Sequence, residues 1–303
     1  DYLVPLHLES SAVYGTKVIV PFGKTQVDGL IVDRKNESEQ LKNLKLITEV
    51  SSPSGLVSTQ VMEHLELVRN RFGGSFWNLL KSALPARIAK EDKAIEQVKP
   101  SAISNSYESP ILRDLIGRSD YGMLVGKQRL KWAVNLPIAT DSALFVAKIV
   151  LARSQFNQVL LLVPDDKDIR LIKRQITRIS KVNVLELSSN LDSSTRYRNF
   201  LQTCFGVPKI IVANRSGSFT NLQSDSTVIV LNDLDASHYE QHSPGWNTRD
   251  VTLLRNKNSS FIFISASHSL EIARLIDIGW LDHKIYKPNS EISIVASDSN
   301  RSY

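Results

Sequence analysis

The chain has 303 residues, of which 42% are hydrophobic and 22% charged, and its formal net charge is +6. This composition is ordinary for a globular protein, and the length allows two domains. No apolar run approaches the roughly 18 residues that a membrane-spanning helix needs. We therefore expect no membrane partner and a cytoplasmic location. Because the sequence begins at Asp1 rather than Met, we expect a trimmed part of a longer protein.

Cysteine and histidine usage excludes two kinds of site. Cys204 is the only cysteine in the sequence, which rules out an internal disulfide and any zinc site built on several cysteines. The six histidines show no spacing typical of metal ligands. The expectation is a chain without a metal of its own.

The positive charge is concentrated in the middle of the chain. Residues 101–200 carry 15 Lys/Arg against 9 Asp/Glu, whereas the counts are 13 against 12 in residues 1–100 and 9 against 10 in residues 201–303. Clustered basic charge favours a polyanionic partner such as DNA. The alternative is a basic helix face that only meets solvent.

Residues 1–88 predict a small α+β domain. "KVIVPFGKTQVDGLIVD" holds two β-rich runs around Gly23, which is typical of a hairpin, and "LKLITEV" predicts a third strand. Ser58 is a suitable N-cap for a helix that ends at Gly73. "SFWNLLKSALP" predicts a second, short helix.

Residues 89–120 are predicted to be a linker, and residues 121–303 a separate lobe. The linker begins with "AKEDKAIEQVKPSAISNSYESP", which is polar, with four serines and two prolines. In the lobe, helical stretches alternate with the apolar runs "VLLLVP", "VNVLEL", "KIIVA", "STVIVL" and "SSFIFIS". This alternation predicts an α/β fold with a parallel sheet covered on both faces. Ligands of such sheets bind at the carboxyl ends of the strands.

One strand end resembles part of a nucleotide-driven motor. "VIVLNDLDASHYEQ" is an apolar strand followed by acidic residues, as in motors that hold magnesium with carboxylates. The first of these positions, however, is Asn232. A neutral amide is a much poorer ligand than a carboxylate for a hard cation.

Several segments together resemble the PriA family of replication restart helicases. The matching segments, in order, are "DYLVP", "GTKVIVPFGK", "LKLITEV", "RFGGSFWNLLKSALP", "NRSGSF", "NDLDASHYEQ", "TRDVTLLR" and "SASHSLE". The resemblance implies a β-rich 3′-DNA-binding domain followed by a RecA-like helicase lobe. It also implies a 3′→5′ helicase that uses ATP and Mg²⁺, acts on forked or single-stranded DNA, and has primosome proteins as partners. The family's second lobe and zinc-binding cysteines would follow Tyr303.

The resemblance also assigns candidate DNA-binding residues. Asp1, Gly23 and Lys45 correspond to the family's 3′-end pocket, in which a carboxylate accepts the terminal hydroxyl and a lysine meets phosphate. The family's Phe before this Asp would precede Asp1. Alternatively, Gly23 is only a hairpin residue and Lys45 only a solvated charge.

Contacts to the DNA backbone are expected from two further places. Arg215 and Ser216 lie in the segment that corresponds to the family's T-R-S. A salt-bridged loop arginine is the alternative for Arg215. The basic residues Arg170, Lys173 and Arg174 lie in a predicted amphipathic helix, whose alternative is a purely solvated face.

Departures from the family pattern point to a lost motor. Where the family has the phosphate loop G-x-T-G-S-G-K-T, this chain reads "WAVNLPIATDSALF", without glycine or lysine. Asn232 replaces the metal-binding Asp, Asp233 replaces the catalytic Glu, and Asp235 replaces the family's His. The family's winged-helix insert has little room between residues 90 and 130. The chain thus resembles most a divergent, actinobacterial-type branch with degenerate nucleotide motifs.

Three hypotheses follow from the sequence. The first is a PriA-like protein that binds branched DNA and 3′ ends without a working ATPase and without a cofactor in this part of the chain. The second is an ATP-dependent helicase whose site tolerates the substitutions. The third is an unrelated α/β protein.

Overall fold

A three-stranded antiparallel sheet near the N-terminus and a seven-stranded parallel sheet organise the chain. The computed structural model describes residues 1–38, 43–97, 107–137, 140–255 and 258–286. No helix in the described part of the chain is long and apolar enough to cross a membrane. The predicted fold class is confirmed: a small β-rich α+β part precedes a RecA-like parallel sheet covered by helices.

The strands in chain order are β1 (Tyr2–Leu3), β2 (Lys17–Phe22), β3 (Thr25–Leu30), β4 (Lys45–Leu46), β5 (Glu49–Val50), β6 (Lys131–Asn135), β7 (Val159–Leu162), β8 (Val184–Leu187), β9 (Ile210–Ala213), β10 (Thr227–Leu231), β11 (Tyr239–Glu240), β12 (Trp246–Asn247), β13 (Ser260–Ser265) and β14 (Asp282–Ile285). The α-helices are α1 (Thr59–Phe72), α2 (Phe76–Ala83), α3 (Pro110–Ile116), α4 (Arg118–Leu124), α5 (Ser142–Ser154), α6 (Asp166–Ile179), α7 (Ser193–Phe205), α8 (Thr248–Leu253) and α9 (Leu270–Asp277).

The predicted N-terminal hairpin is confirmed. Strands β2 and β3 pair antiparallel with Phe22 opposite Thr25, and Gly23 in the turn has φ +60°, a left-handed conformation that glycine adopts without strain. The predicted third strand forms as two short ones. Of these, β5 pairs with β2, while β4 pairs in parallel with β1.

The two predicted N-terminal helices are also confirmed. The Ser58 hydroxyl accepts a hydrogen bond from the Val61 N–H at 3.3 Å, so it caps α1 as the sequence predicts. Helix α1 ends at Gly73, whose φ is +77°. Gly74 begins the turn into α2, and a Cβ there would lie 2.7 Å from the Pro244 Cβ. Only glycine fits at position 74.

The large sheet is entirely parallel, in the order β14-β6-β13-β10-β7-β9-β8. All four residues of β7 are buried. Val159 and Leu161 contribute to the core on one face, and Leu160 and Leu162 to the core on the other. Each face of the sheet is therefore covered. Because the strands are parallel, the loops that follow their carboxyl ends all lie along the same edge of the sheet.

Helices α1 and α2 share a hydrophobic core with the part of the chain that carries the large sheet. Leu65 and Leu79 pack in one cluster with Phe219 and Trp246. The rings of Phe219 and Trp246 meet edge to face at 5.3 Å between their centroids. The division of the chain at residue 88 remains a prediction, but the packing of the two parts is continuous.

Part of the predicted linker is folded against the lobe. Residues 89–97 form a 3-10 segment, in which Glu91 accepts a hydrogen bond from Arg198 of α7 at 2.7 Å. Helix α3 lies within the predicted linker and α4 crosses its end at residue 120; both contribute to the core beneath the sheet. Residues 98–106 lie outside the described residues.

Two strands of the large sheet were not predicted. Strand β6 lies within the segment that the sequence suggested as a loop, and β14 pairs with β6 at the sheet edge. Trp132, Ala133 and Val134 are the buried residues of β6. A run of three apolar residues is too short to separate strand from loop by its pattern.

His64 gives the packing of α1 on the lobe a pH dependence. Its buried ring donates a hydrogen bond from Nε2 to the Val251 carbonyl at 2.8 Å. Burial, followed by the nearby charge of Arg255, lowers the pKa of His64 to about 3. In the unfolded chain the His64 ring takes up a proton near pH 6.5, whereas in the folded chain it stays neutral. The free energy of unfolding must therefore fall as the pH drops through that value.

Between pH 7 and pH 5, the native chain should lose about 2 kcal/mol more of its free energy of unfolding than His64→Gln does. The reason is that a proton bound only by the unfolded chain changes this free energy by about 1.4 kcal/mol per pH unit. Urea denaturation at the two pH values measures the difference. His7→Gln, at an exposed histidine, should behave as the native chain. An equal loss in native chain and His64→Gln would contradict the assignment.

Candidate nucleic-acid interface

Asp1, Gly23 and Lys45 come together at the surface of the N-terminal part. The parallel pairing of β1 with β4 places Tyr2 opposite Lys45, and Asp1 directly precedes Tyr2. The Lys45 Nζ donates a hydrogen bond to the Gly23 carbonyl at 3.3 Å. The Asp1 carboxylate accepts one from the Ser38 hydroxyl at 2.6 Å. The structure thus gathers the three residues into one exposed group.

Exposed apolar residues are the chain neighbours of this group. Phe22, directly before Gly23, is 68% exposed. Leu3 and Leu46 are register partners, and both are about half exposed. An exposed aromatic ring beside a lysine suits a nucleotide, because the ring can stack on a base while the lysine meets phosphate. Four different contacts are thus available: the Asp1 carboxylate, the Gly23 backbone, the Lys45 ammonium group and the Phe22 ring.

A cleft of about 460 Å³ lies at the carboxyl ends of β7 and β9. Its lining residues are Ser82, Pro164, Asp165, Asp166, Ser189, Asn214, Arg215, Ser216, Ser237, Glu240 and Trp246. Polar residues from the segments after these two strands line it. Ser82 comes from α2, so this helix closes one side of the cleft.

Arg215 is bonded within the fold. Its Nη1 donates hydrogen bonds to the Ser237 carbonyl at 2.9 Å and to the Tyr239 carbonyl, and its Nε lies 3.3 Å from a Glu240 carboxylate oxygen. The Ser216 hydroxyl donates to the Asn214 side chain at 2.7 Å. This is the geometry of the salt-bridged loop arginine, the alternative that the sequence left open.

The strand-end cleft is acidic beside α6. Asp165 caps this helix by accepting hydrogen bonds from the Lys167 and Asp168 N–H groups at 2.8 and 3.0 Å. Burial, and after it the charge of Asp165, raises the pKa of Asp168, and the carboxylate of Asp235 adds to the effect. Carboxylates thus outnumber cations where α6 begins.

The polar residues after β10 that the sequence singled out have local structural roles. Asp233 is enclosed: it accepts hydrogen bonds from the Ser269 N–H at 3.0 Å and from His268 Nδ1 at 3.2 Å. Burial alone would raise its pKa, but these hydrogen bonds more than offset burial and leave the pKa below its usual range. Asn232 has a left-handed backbone with φ +52°. Asp235 caps a single 3-10 turn through the Ser237 N–H at 2.9 Å.

The loop between β6 and α5 stands where a phosphate loop would lie. The Asp141 carboxylate caps α5 by accepting a hydrogen bond from the Leu144 N–H at 3.0 Å, and its other oxygen accepts one from the Gln175 side chain at 3.3 Å. Asn135, at the end of β6, accepts a hydrogen bond from His283 at 2.6 Å. Residues 138 and 139 of this loop lie outside the described residues.

The basic residues of α6 differ in their surroundings. Arg170 and Arg174 are exposed. The Lys173 Nζ, however, lies 2.9 Å from a Glu186 carboxylate oxygen in a half-buried salt bridge. Among the residues that the structure describes, no three His, Cys, Asp or Glu side chains gather as a metal site.

Sequence reasoning missed three groups that shape the site. The strand pattern does not single out Phe22, although its place before a turn glycine is consistent with exposure. Asp141 lies in the segment without glycine, and Asp before an apolar periodic run is a typical N-cap. His268 follows the strand end of β13, but nothing local indicates that it reaches Asp233.

Comparison with known proteins agrees with this geometry. Residues 1–85 match the family model of the PriA 3'DNA-binding domain (3'BD). The "Probable replication restart protein PriA" of Mycobacterium tuberculosis (strain H37Rv) is 27% identical over 96% of this chain and 45% of its own length. That of Mycobacterium leprae (strain TN) is 26% identical over 92% of this chain and 44% of its own length. The resemblance to the PriA family is confirmed. This chain spans about half the length of the PriA relatives that it matches.

Two solved structures match parts of the chain, both with TM-scores below 0.5. One is RecG bound to a three-way DNA junction, with a TM-score of 0.43 and 12% identity over 79% of this chain and 30% of that one. The other is the UvsW helicase from bacteriophage T4, with a TM-score of 0.38 and 12% identity over 78% of this chain and 82% of that one.

We expect Asp233→Ala to lower the free energy of unfolding by about 2 to 4 kcal/mol, because it leaves two buried N–H donors without partners. The matched control is Asp235→Ala, which removes an exposed cap worth about 1 kcal/mol. Urea denaturation compares the two variants. Equal, small losses would contradict the structural role of Asp233.

Proposed function

We propose that this chain binds branched DNA and the 3′ ends of nascent strands, as the DNA-recognition part of a PriA-like replication restart protein, and that it does so without hydrolysing ATP. One observation carries the proposal: Asp1, Gly23 and Lys45 converge within the segment that matches the 3'DNA-binding domain. Other replication restart and primosome proteins are its proposed protein partners.

The chemistry of the N-terminal group suits a strand end. The Asp1 carboxylate can accept a hydrogen bond from a free 3′-hydroxyl but would repel a 3′-phosphate. Gly23 leaves the backbone open, since a Cβ built there has nothing within 4 Å, and Phe22 can stack on the terminal base. Lys45 can meet the phosphate that links the last two nucleotides.

Three features of the large sheet support a chain that does not use ATP. A carboxylate, Asp141, already occupies the N-terminus of α5, where nucleotide phosphates would have to bind backbone N–H groups, and it would repel them. Asp233 is enclosed by hydrogen-bond donors, so it cannot orient water. Asn232 offers only a neutral amide to a cation. ATP and Mg²⁺ do not fit this set of residues, and these features count against the alternative of a divergent ATP-dependent helicase.

We expect forks with a free 3′-OH to bind roughly tenfold more tightly than forks with a 3′-phosphate or without a free 3′ end, a difference of about 1.4 kcal/mol. Fluorescence anisotropy on matched forks measures this preference. The protein used in this measurement is produced with one additional residue before Asp1, so that no α-amino charge lies beside the Asp1 carboxylate. Equal affinities for the three forks would contradict the use of this pocket.

Variants of Gly23 and Lys45 should separate the two contacts. Gly23→Asn keeps a left-handed turn but fills the space for a base, so it should selectively weaken binding of 3′-OH forks. Gly55→Asn is the matched control, because Gly55 has φ +68° and similarly open surroundings. Gly23→Val should weaken the same forks but also strains the turn.

Lys45→Ala should weaken all DNA substrates similarly, because Lys45 is proposed to meet phosphate. A loss confined to one substrate would overturn this phosphate-binding role.

We expect no binding of ATP with Mg²⁺ tighter than about 100 μM, that is, no binding free energy more favourable than about −5.5 kcal/mol. Isothermal titration calorimetry at millimolar nucleotide measures this. A titration of forked DNA into the same sample verifies that the protein is active. Tighter nucleotide binding would contradict the proposal that the motor is lost.

A further inference from the structure

Helix α6 presents one continuous basic face to solvent. Lys167, Arg170, Arg174 and Arg178 are all exposed, and at about 100° per residue they fall within about 80° of the helix circumference. The buried residues Ile169, Ile172 and Ile176 occupy the opposite side. We name the four cations the α6 basic face. Lys181, just beyond the end of the helix, is also exposed.

Arg170, Arg174 and Arg178 of the α6 basic face have no salt-bridge partner among the described residues, whereas Lys167 lies close enough to the Asp168 carboxylate to stabilise its charge. The fifth cation of the helix, Lys173, points away from this face and is paired with Glu186 at 2.9 Å. Cations kept exposed and unpaired favour an anionic partner.

The distribution of charge along α6 directs such a partner away from the strand-end cleft. Asp165 and Asp166 line the cleft, and Asp168 lies in the first turn of the helix. Arg170, Arg174 and Arg178 follow at steps of about 6 Å along the axis. A polyanion would therefore be repelled at the cleft end and attracted along the rest of the helix.

We propose that the α6 basic face binds the phosphate backbone of a duplex arm of the branched DNA, outside the strand-end cleft. This inference rests on the proposed function. The face carries only cations, with Leu171 and Thr177 beside them and no aromatic side chain, whereas proteins that bind single strands usually stack bases on aromatic rings. Duplex DNA presents about one charge per 1.7 Å of its axis, twice the density of one strand. The face thus suits phosphates without base contacts.

The test uses a blunt duplex whose 3′ ends carry phosphate, so that the Asp1 group contributes nothing to its binding. The variant is Arg170→Gln with Arg174→Gln and Arg178→Gln, since Gln preserves helix propensity. A plot of log affinity against log salt has a negative slope. We expect this slope to become shallower by about 2 to 3, roughly 0.9 for each phosphate that the variant no longer neutralises. Binding of a single strand of equal length should change less than about twofold.

Two controls isolate the face. Arg69→Gln with Arg71→Gln and Arg274→Gln removes the same charge from other exposed positions, and Lys173→Gln removes the paired cation of the same helix. Neither should change the slope for the duplex by more than about 1. Circular dichroism verifies that each variant is folded.

The possible outcomes are distinct. An unchanged slope for the duplex would overturn the inference and leave the face for another partner, such as an acidic protein. An equal loss for single and double strands would overturn the duplex assignment. If forks still bind through a free 3′-OH while the duplex slope is unchanged, only this inference fails. If the native chain binds no fork, the proposed function fails first.

Discussion

Burial of the seven-stranded parallel sheet on both faces is the constraint on which the rest of the structure depends. Every residue of β7 and β10 is buried, and each large apolar side chain contributes about 1.5 to 3 kcal/mol. This stabilisation comes from side chains within the strands. The loops at the strand ends can therefore change their residues while the sheet persists, which explains a RecA-like lobe without glycine or lysine in the loop after β6.

Internal hydrogen bonds engage the polar side chains at those strand ends. Buried polar groups must find partners, and here the partners belong to the chain itself: Asp233 holds His268 and the start of α9, and Asp141 holds the start of α5. Arg215 is held by Glu240 and two carbonyls. Among the described residues, the cations of α6 and the exposed group of Asp1, Gly23 and Lys45 lie at the periphery, outside this set of internal contacts.

The shared core of α1, α2 and the lobe connects these peripheral surfaces. Leu65 and Leu79 pack against Phe219 and Trp246, and Gly74 contacts Pro244 so closely that no side chain fits. The proposed strand-end site and the α6 basic face are thus carried by one continuous packing arrangement. A continuous arrangement of this kind suits recognition of a junction, because both contacts can be made without a large ordering cost.

The sequence by itself determined the local elements and the departures from the family's nucleotide motifs. The helix from Ser58, the amphipathic α6 and the buried runs of β7 and β10 follow from periodicity, and the exchange of Asp for Asn232 is visible without a structure. Only the tertiary structure decided which polar groups are free. The pairing of β1 with β4 brings Asp1 to Lys45, Glu186 neutralises Lys173, and three bonds hold Arg215. Strand β6 is likewise identified only by its pairing with β13 and β14. These outcomes depend on contacts between residues far apart in the chain, and a local pattern carries no information about such contacts.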